Sequence, residues 1–94
     1  MTDLYVDSFG QIIEIAVTLD GEPLDLTTAA CELTFVAPSG SRITKSVQTS
    51  LGKATYVTER GLINESGRWH GILTVDLGDA LYQYPFDFAV QALP

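Results

Sequence analysis

Trp69-His70-Gly71-Ile72-Leu73-Thr74-Val75-Asp76, then Leu77-Gly78-Asp79-Ala80, then Leu81-Tyr82-Gln83-Tyr84-Pro85-Phe86-Asp87-Phe88-Ala89-Val90: the reading of this closing stretch decides the architecture. Trp69, Gly71, Leu73 and Val75 alternate with His70, Ile72, Thr74 and Asp76. After the Gly-Asp turn, Tyr82, Tyr84, Phe86, Phe88 and Val90 recur at every second position. Period two over such a length marks strands with one face in a core. Two such strands joined by a short Gly-Asp turn predict an antiparallel hairpin. Trp69 is its expected anchor, a large ring packed between two layers. Phe86 and Phe88 are expected in the core. Tyr82 and Tyr84 lie nearer the turn and are expected to be partly exposed. Pro85 has no amide to give a ladder, so the strand is either bulged there or open on one side.

Working back toward the N-terminus, the same period recurs between turn signals. Ile13, Ile15, Val17 and Leu19 form an inward set, broken by Asp20-Gly21-Glu22-Pro23. Leu24 to Thr28 read as a connector. Cys31, Leu33, Phe35 and Ala37 alternate again, up to the turn at Pro38-Ser39-Gly40-Ser41. Ile43, Lys45, Val47 and Thr49 make a more polar strand, suited to an edge. Ala54, Tyr56 and Thr58 follow the turn at Leu51-Gly52-Lys53. Residues 59–68 are either one helical turn or an irregular crossover. No stretch holds apolar residues at helical spacing for three turns. The expectation is one all-β domain over residues 1–94, an antiparallel β-sandwich of about seven strands.

Composition bounds the function. Of 94 residues, 46% are hydrophobic and 18% charged, which suits a folded globular chain rather than a disordered one. A chain of this size buries roughly 60–68% of its unfolded surface, enough for one core but not for a deep substrate cavity as well. No apolar run approaches the roughly 20 residues of a membrane helix, and the start lacks the basic and apolar regions of a signal peptide. Synthesis in a cytoplasm without export is expected. Net charge is −7, from twelve acids and five bases, which argues against nucleic acid as partner. Residues 1–41 hold seven acids and no base, whereas Arg42, Lys45, Lys53, Arg60 and Arg68 all fall within 42–68. A mixed solvated surface is the simpler account; an acidic face meeting a basic patch in a head-to-tail oligomer is the sharper one.

Residue chemistry points away from catalysis. His70 is the sole histidine and sits mid-strand opposite Trp69's face, so a solvated or interface role is expected rather than that of a general base. One histidine and one cysteine cannot assemble a zinc site of the usual type. Cys31 has no disulfide partner and is expected to act as a small buried hydrophobe. Asp20, Glu22 and Asp25 offer oxygen ligands, but their spacing is ordinary turn chemistry rather than a calcium loop. Asp76 and Asp79 flank a hairpin tip with nothing apolar to raise either pKa. The glycines are scattered among turns, with no phosphate-binding loop. Neither a cofactor, a metal nor a small-molecule substrate is expected.

The order of these signals is informative as a set: Gly10-Gln11-Ile12-Ile13; Leu19-Asp20-Gly21-Glu22-Pro23-Leu24-Asp25-Leu26; Phe35-Val36-Ala37-Pro38-Ser39-Gly40; Gly52-Lys53-Ala54-Thr55-Tyr56; Gly67-Arg68-Trp69-His70-Gly71; Phe86-Asp87-Phe88-Ala89-Val90. Over nearly its whole length the chain resembles the N-terminal domain of tailed-phage baseplate upper proteins and small stand-alone phage proteins of the same pattern. The resemblance implies an immunoglobulin-like module that is structural, non-enzymatic and present in many copies in a virion. Against that pattern, no receptor-binding or fibre portion is expected after this domain, and the Leu51-Gly52-Lys53 stretch is short. The expected function is a virion assembly protein, an adaptor or decoration module on tail, neck or capsid, whose partners are other virion proteins or copies of itself in a ring. Leu4, Tyr5, Val6 and Phe9 in the N-terminal arm, with Leu62 and Ile63 in the 59–68 segment, are candidate partner contacts; the alternative is that they close the ends of the core. A competing function is a carbohydrate-binding module in which Tyr82 and Tyr84 stack on a host-surface glycan.

Overall fold

The Gly-Asp hairpin forms as the alternation predicts. In the computed structural model, which describes residues 4–27 and 29–92, its arms are β9 (Gly67–Asp76) and β10 (Leu81–Gln91). They pair from Leu81↔Asp76 to Val90↔Gly67 without interruption. The ladder passes through Pro85 with no bulge, so the open-edge account of that proline is the one observed. Alternation sorts the faces: Trp69, Leu73, Val75, Phe88 and Val90 are buried, while His70, Asp76, Asp87 and Gln91 are exposed.

This hairpin is the centre of a five-stranded sheet. The remaining members are β1 (Leu4–Tyr5), β5 (Ala30–Val36) and β6 (Arg42–Ser46), in the order β1-β10-β9-β5-β6. Strands β2 (Ile12–Ala16), β7 (Gln48–Ser50) and β8 (Lys53–Val57) make a three-stranded sheet in the order β2-β8-β7. A two-residue ribbon, β3 (Thr18–Leu19) with β4 (Glu22–Pro23), turns through Asp20 and Gly21. Both turn residues have positive φ, 53° and 84°, the backbone that an Asp-Gly pair accepts in a tight hairpin.

One core joins these sheets. Leu33, Phe35, Trp69, Leu73, Val75, Phe88 and Val90 from the larger sheet cluster with Ile13, Ala54 and Tyr56 from the smaller. The Phe35 and Tyr56 rings bridge them, with centroids 5.6 Å apart. Trp69 stacks on Phe88 at 5.9 Å, and Phe88 on Phe86 at 6.2 Å. The indole Nε1 donates to the Glu65 carbonyl at 3.0 Å, which satisfies the one polar atom that burial of Trp69 would strand.

Several expectations are corrected. Among the described residues there are ten strands rather than about seven, and the larger sheet is mixed rather than wholly antiparallel, because β1 runs parallel to β10. The polar run from Ile43 to Thr49 is two strands: the chain leaves one sheet at Ser46 and enters the other at Gln48. Each piece lies at a sheet edge, as its polarity suggested. Leu19 is 40% exposed rather than inward, since it belongs to the small ribbon and not to β2. The run breaks at the Asp20-Gly21 turn as expected, and Glu22 and Pro23 form the short return strand, which ends at Pro23. Leu26, in the connector, is fully buried, and Thr28 lies outside the described residues. Between Glu59 and Ser66 the chain is irregular, with no helical turn.

Candidate docking surfaces

The residues singled out as partner contacts divide by burial. Leu4, Leu62 and Ile63 are buried in the core, so they close its end and offer no free surface. The N-terminal segment is tied to the irregular segment by Asp7 N–H donating to the Ile63 carbonyl at 2.7 Å. That segment is itself held by Glu65, whose carboxylate accepts from the Ser39 N–H at 3.1 Å and the Ser39 hydroxyl at 2.7 Å. Val6 is half-buried, whereas Tyr5 and Phe9 remain about half exposed.

Sequence reasoning missed an apolar pair on the smaller sheet. Ile12 and Val57 are direct partners across the β2–β8 ladder, and they are 68% and 50% exposed on the outer face of the smaller sheet. The Arg60 guanidinium sits 4.2 Å from the Phe9 ring centroid, and Gly10 N–H bonds the Thr58 carbonyl at 2.8 Å. The signal was present in the sequence: Ile12 and Val57 fall out of phase with the inward sets Ile13/Ile15 and Ala54/Tyr56.

The second exposed feature is the outer edge of β10. Strand β1 covers it only at Val90 and Gln91, so Leu81–Ala89 has no strand beside it among the described residues. Along the same edge Tyr82 and Tyr84 are half-buried as expected, whereas Phe86, expected in the core, is only half-buried and packs against it. Tyr84 is not free to present a stacking face at will, because its hydroxyl reaches the Thr18 carbonyl at 3.4 Å and ties β10 to the small ribbon.

Several polar side chains pair across strands and turns. His70 Nδ1 lies 2.6 Å from Asp87 Oδ1, and Arg68 is 4.0 Å from the same carboxylate. The hairpin register pairs residues 70 and 87, so this contact was legible once the turn was placed at residues 77–80. The other cross-strand partner of His70 is Val36, and neither Val36 nor Asp87 supplies a nucleophile for a His–Asp dyad to activate. Asp25 accepts from the N–H and hydroxyl of Thr27 at 2.9 and 2.5 Å, which holds its carboxyl below the usual range. Asp76 accepts from the Gly78 N–H at 2.8 Å and caps the hairpin turn. No three His, Cys, Asp or Glu side chains converge among the described residues in a way that would hold a metal. A cleft of about 250 Å³ opens where the chain passes from β6 to β7, lined by Ser46, Gln48, Thr55, Tyr56 and Val57. Its wall has no acid, base or thiol beyond the Tyr56 phenol.

Among the described residues no helix is long and apolar enough to cross a membrane. A scan against protein-family models found no match, and a search of curated proteins found no relative.

Proposed function

We propose that this chain is a non-enzymatic structural protein of a phage virion, an immunoglobulin-like β-sandwich that docks on tail, neck or capsid proteins. One observation carries the docking part: Ile12 and Val57, direct partners across the β2–β8 ladder, expose apolar side chains on the outer face of the smaller sheet. Such side chains standing together mark a contact surface more often than isolated ones do. The virion part rests on the resemblance of the ordered motifs, whose positions fit the fold which that resemblance implies. Asp20-Gly21 and Pro38-Ser39-Gly40 fall at turns, while Tyr56, Trp69 and Phe88 fall on the inner faces of strands. Polar chemistry directed at a substrate is not needed for such a role, and the ion pairs at hand are exposed ones of small individual worth.

The test is association with purified tail, neck and capsid proteins of the virus that encodes the chain, read by co-sedimentation. Binding to one of them, weakened at least about tenfold in Ile12→Asp or Val57→Asp, is the expected result, since burying an unpaired charge at a contact costs more than 1.4 kcal/mol. Failure to associate with any of the three classes would remove the proposal.

A further inference from the structure

We propose that copies of this chain join head to tail by continuing the five-stranded sheet, with β6 of one copy pairing antiparallel beside the open edge of β10 in the next. Three observations converge on this partner. The first is direction. Every ladder from β10 through β9 and β5 to β6 is antiparallel, so β10 and β6 run in opposite senses at the two sides of one sheet. Placing a second copy alongside without inverting it sets its β6 antiparallel to β10, and keeps both inner faces on the same side.

The second is register. The ladders put Arg42, Val36, His70 and Asp87 on one row across the sheet, and Ile43, Phe35, Gly71 and Phe86 on the next. A second copy continuing those rows brings its Arg42 opposite Asp87 and its Ile43 beside Phe86. Its Lys45 then stands beside Tyr84, and its Thr44 beside Pro85. The incoming Ile43 covers part of the half-buried Phe86 ring. Strand β6 spans Arg42–Ser46 and lies beside Gln83–Asp87, which stops short of the place held by β1 at Val90 and Gln91.

The third is charge. Strand β6 carries Arg42 and Lys45 and no acid, whereas Asp87 is the charged residue of β10. Arg42 makes no ion pair with any described residue, in contrast to Lys45, Lys53 and Arg68, which pair with Glu59, Glu14 and Asp87. Pairing two β10 edges instead would set two prolines in one ladder and gain no opposite charge. Pro85 and the charges of β6 guard these edges against indiscriminate pairing, and leave each edge complementary to the other. Such a contact is heterologous, so it closes into a ring if the rotation per copy permits and otherwise extends as a filament. It does not need the docking reading: a chain that self-assembles but ignores virion proteins would uphold this inference and remove that one.

The test is the mass of the purified protein by sedimentation velocity across a concentration series at about 0.15 M salt, where long-range repulsion between acidic copies is screened beyond roughly 8 Å. Mass rising above one chain is expected, with Arg42→Glu or Asp87→Lys each returning it to monomer and the two reversals combined restoring assembly. Both sites are exposed, and circular dichroism checks that each variant keeps its strands. A monomer at every concentration overturns the proposal, including one that instead captures a basic peptide. So does an oligomer indifferent to both single reversals, or one that the combined reversals fail to restore.

Discussion

The Phe86 ring occupies the space over Gly71 that a β-carbon would fill, and the two residues face each other across the β9–β10 ladder. Glycine inside a strand usually weakens it by roughly 0.5–1 kcal/mol relative to alanine. Here the ring of an edge-strand aromatic lies across the strand and takes the missing side chain's place. Gly71→Ala should therefore cost about 1–3 kcal/mol, because the ring must be expelled from its seat. In a Phe86→Ala background the sign should reverse, with Gly71→Ala neutral or stabilising by up to about 1 kcal/mol. Urea melts of the four proteins in this cycle check it, and additive effects would disprove the coupling.

Trp69 is 1% exposed, stacks on Phe88 and donates its indole N–H to Glu65 O. Trp69→Ala should cost about 3–5 kcal/mol, by loss of burial and by the cavity left behind. Trp69→Phe keeps an aromatic stack but strands the Glu65 carbonyl, and should cost less than the alanine change by about 1–2 kcal/mol or more. A loss below roughly 1 kcal/mol for Trp69→Ala would place the ring outside the cooperative core.

What the sequence disclosed follows from where one periodicity decides the outcome. From Trp69 to Val90 both faces of a long hairpin are written in the alternation, and burial there follows it with one gradient, from half-exposed Tyr82 to buried Val90. Leu26 escaped notice because it lies in a connector, where a single apolar residue among polar ones carries no period. The break at Val47 escaped because a strand that passes between sheets keeps its alternation while it changes partners. Leu62 and Ile63 were ambiguous for a different reason: adjacent apolar residues in an irregular segment look alike whether they plug a core or meet a partner, and only tertiary packing chose the core. The open edge of β10 depends on which strands are neighbours, and strand order is not written locally in any of them.

Cys31 lies on the inner side of β5 opposite Val75, and it is half-buried rather than sealed in the core. Burial raises its thiol pKa, which lowers the thiolate fraction available at neutral pH. A thiol-specific disulfide reagent should react with the native protein at least about tenfold more slowly than with the chain in denaturant. Cys31→Val should change stability by less than about 1.5 kcal/mol, as a small hydrophobe replacing another. Equal reaction rates in the folded and unfolded chains would show that the thiol stands in water.

Tyr56 joins the two sheets through Phe35 while its hydroxyl donates to Glu59 at 3.2 Å. Desolvation first, then the hydrogen bond and charge of Glu59, push its pKa up to about 12. An unfolded tyrosine ionises near pH 10, so the folded chain holds this proton more tightly than the unfolded one. The resulting stabilisation is complete below about pH 10 and is lost as the pH rises through about 12. Lys45 pairs with the same Glu59, so the wild-type curve alone is not diagnostic. The difference between wild type and Tyr56→Phe isolates the phenol, since the variant keeps the ring and the Lys45–Glu59 pair. Wild-type stability should fall more steeply than that of Tyr56→Phe between about pH 10 and 12, measured by urea melts at stepped pH. Parallel curves over that interval would mean that the Tyr56 hydroxyl titrates alike in the folded and unfolded chains, and that Glu59 does not hold its proton.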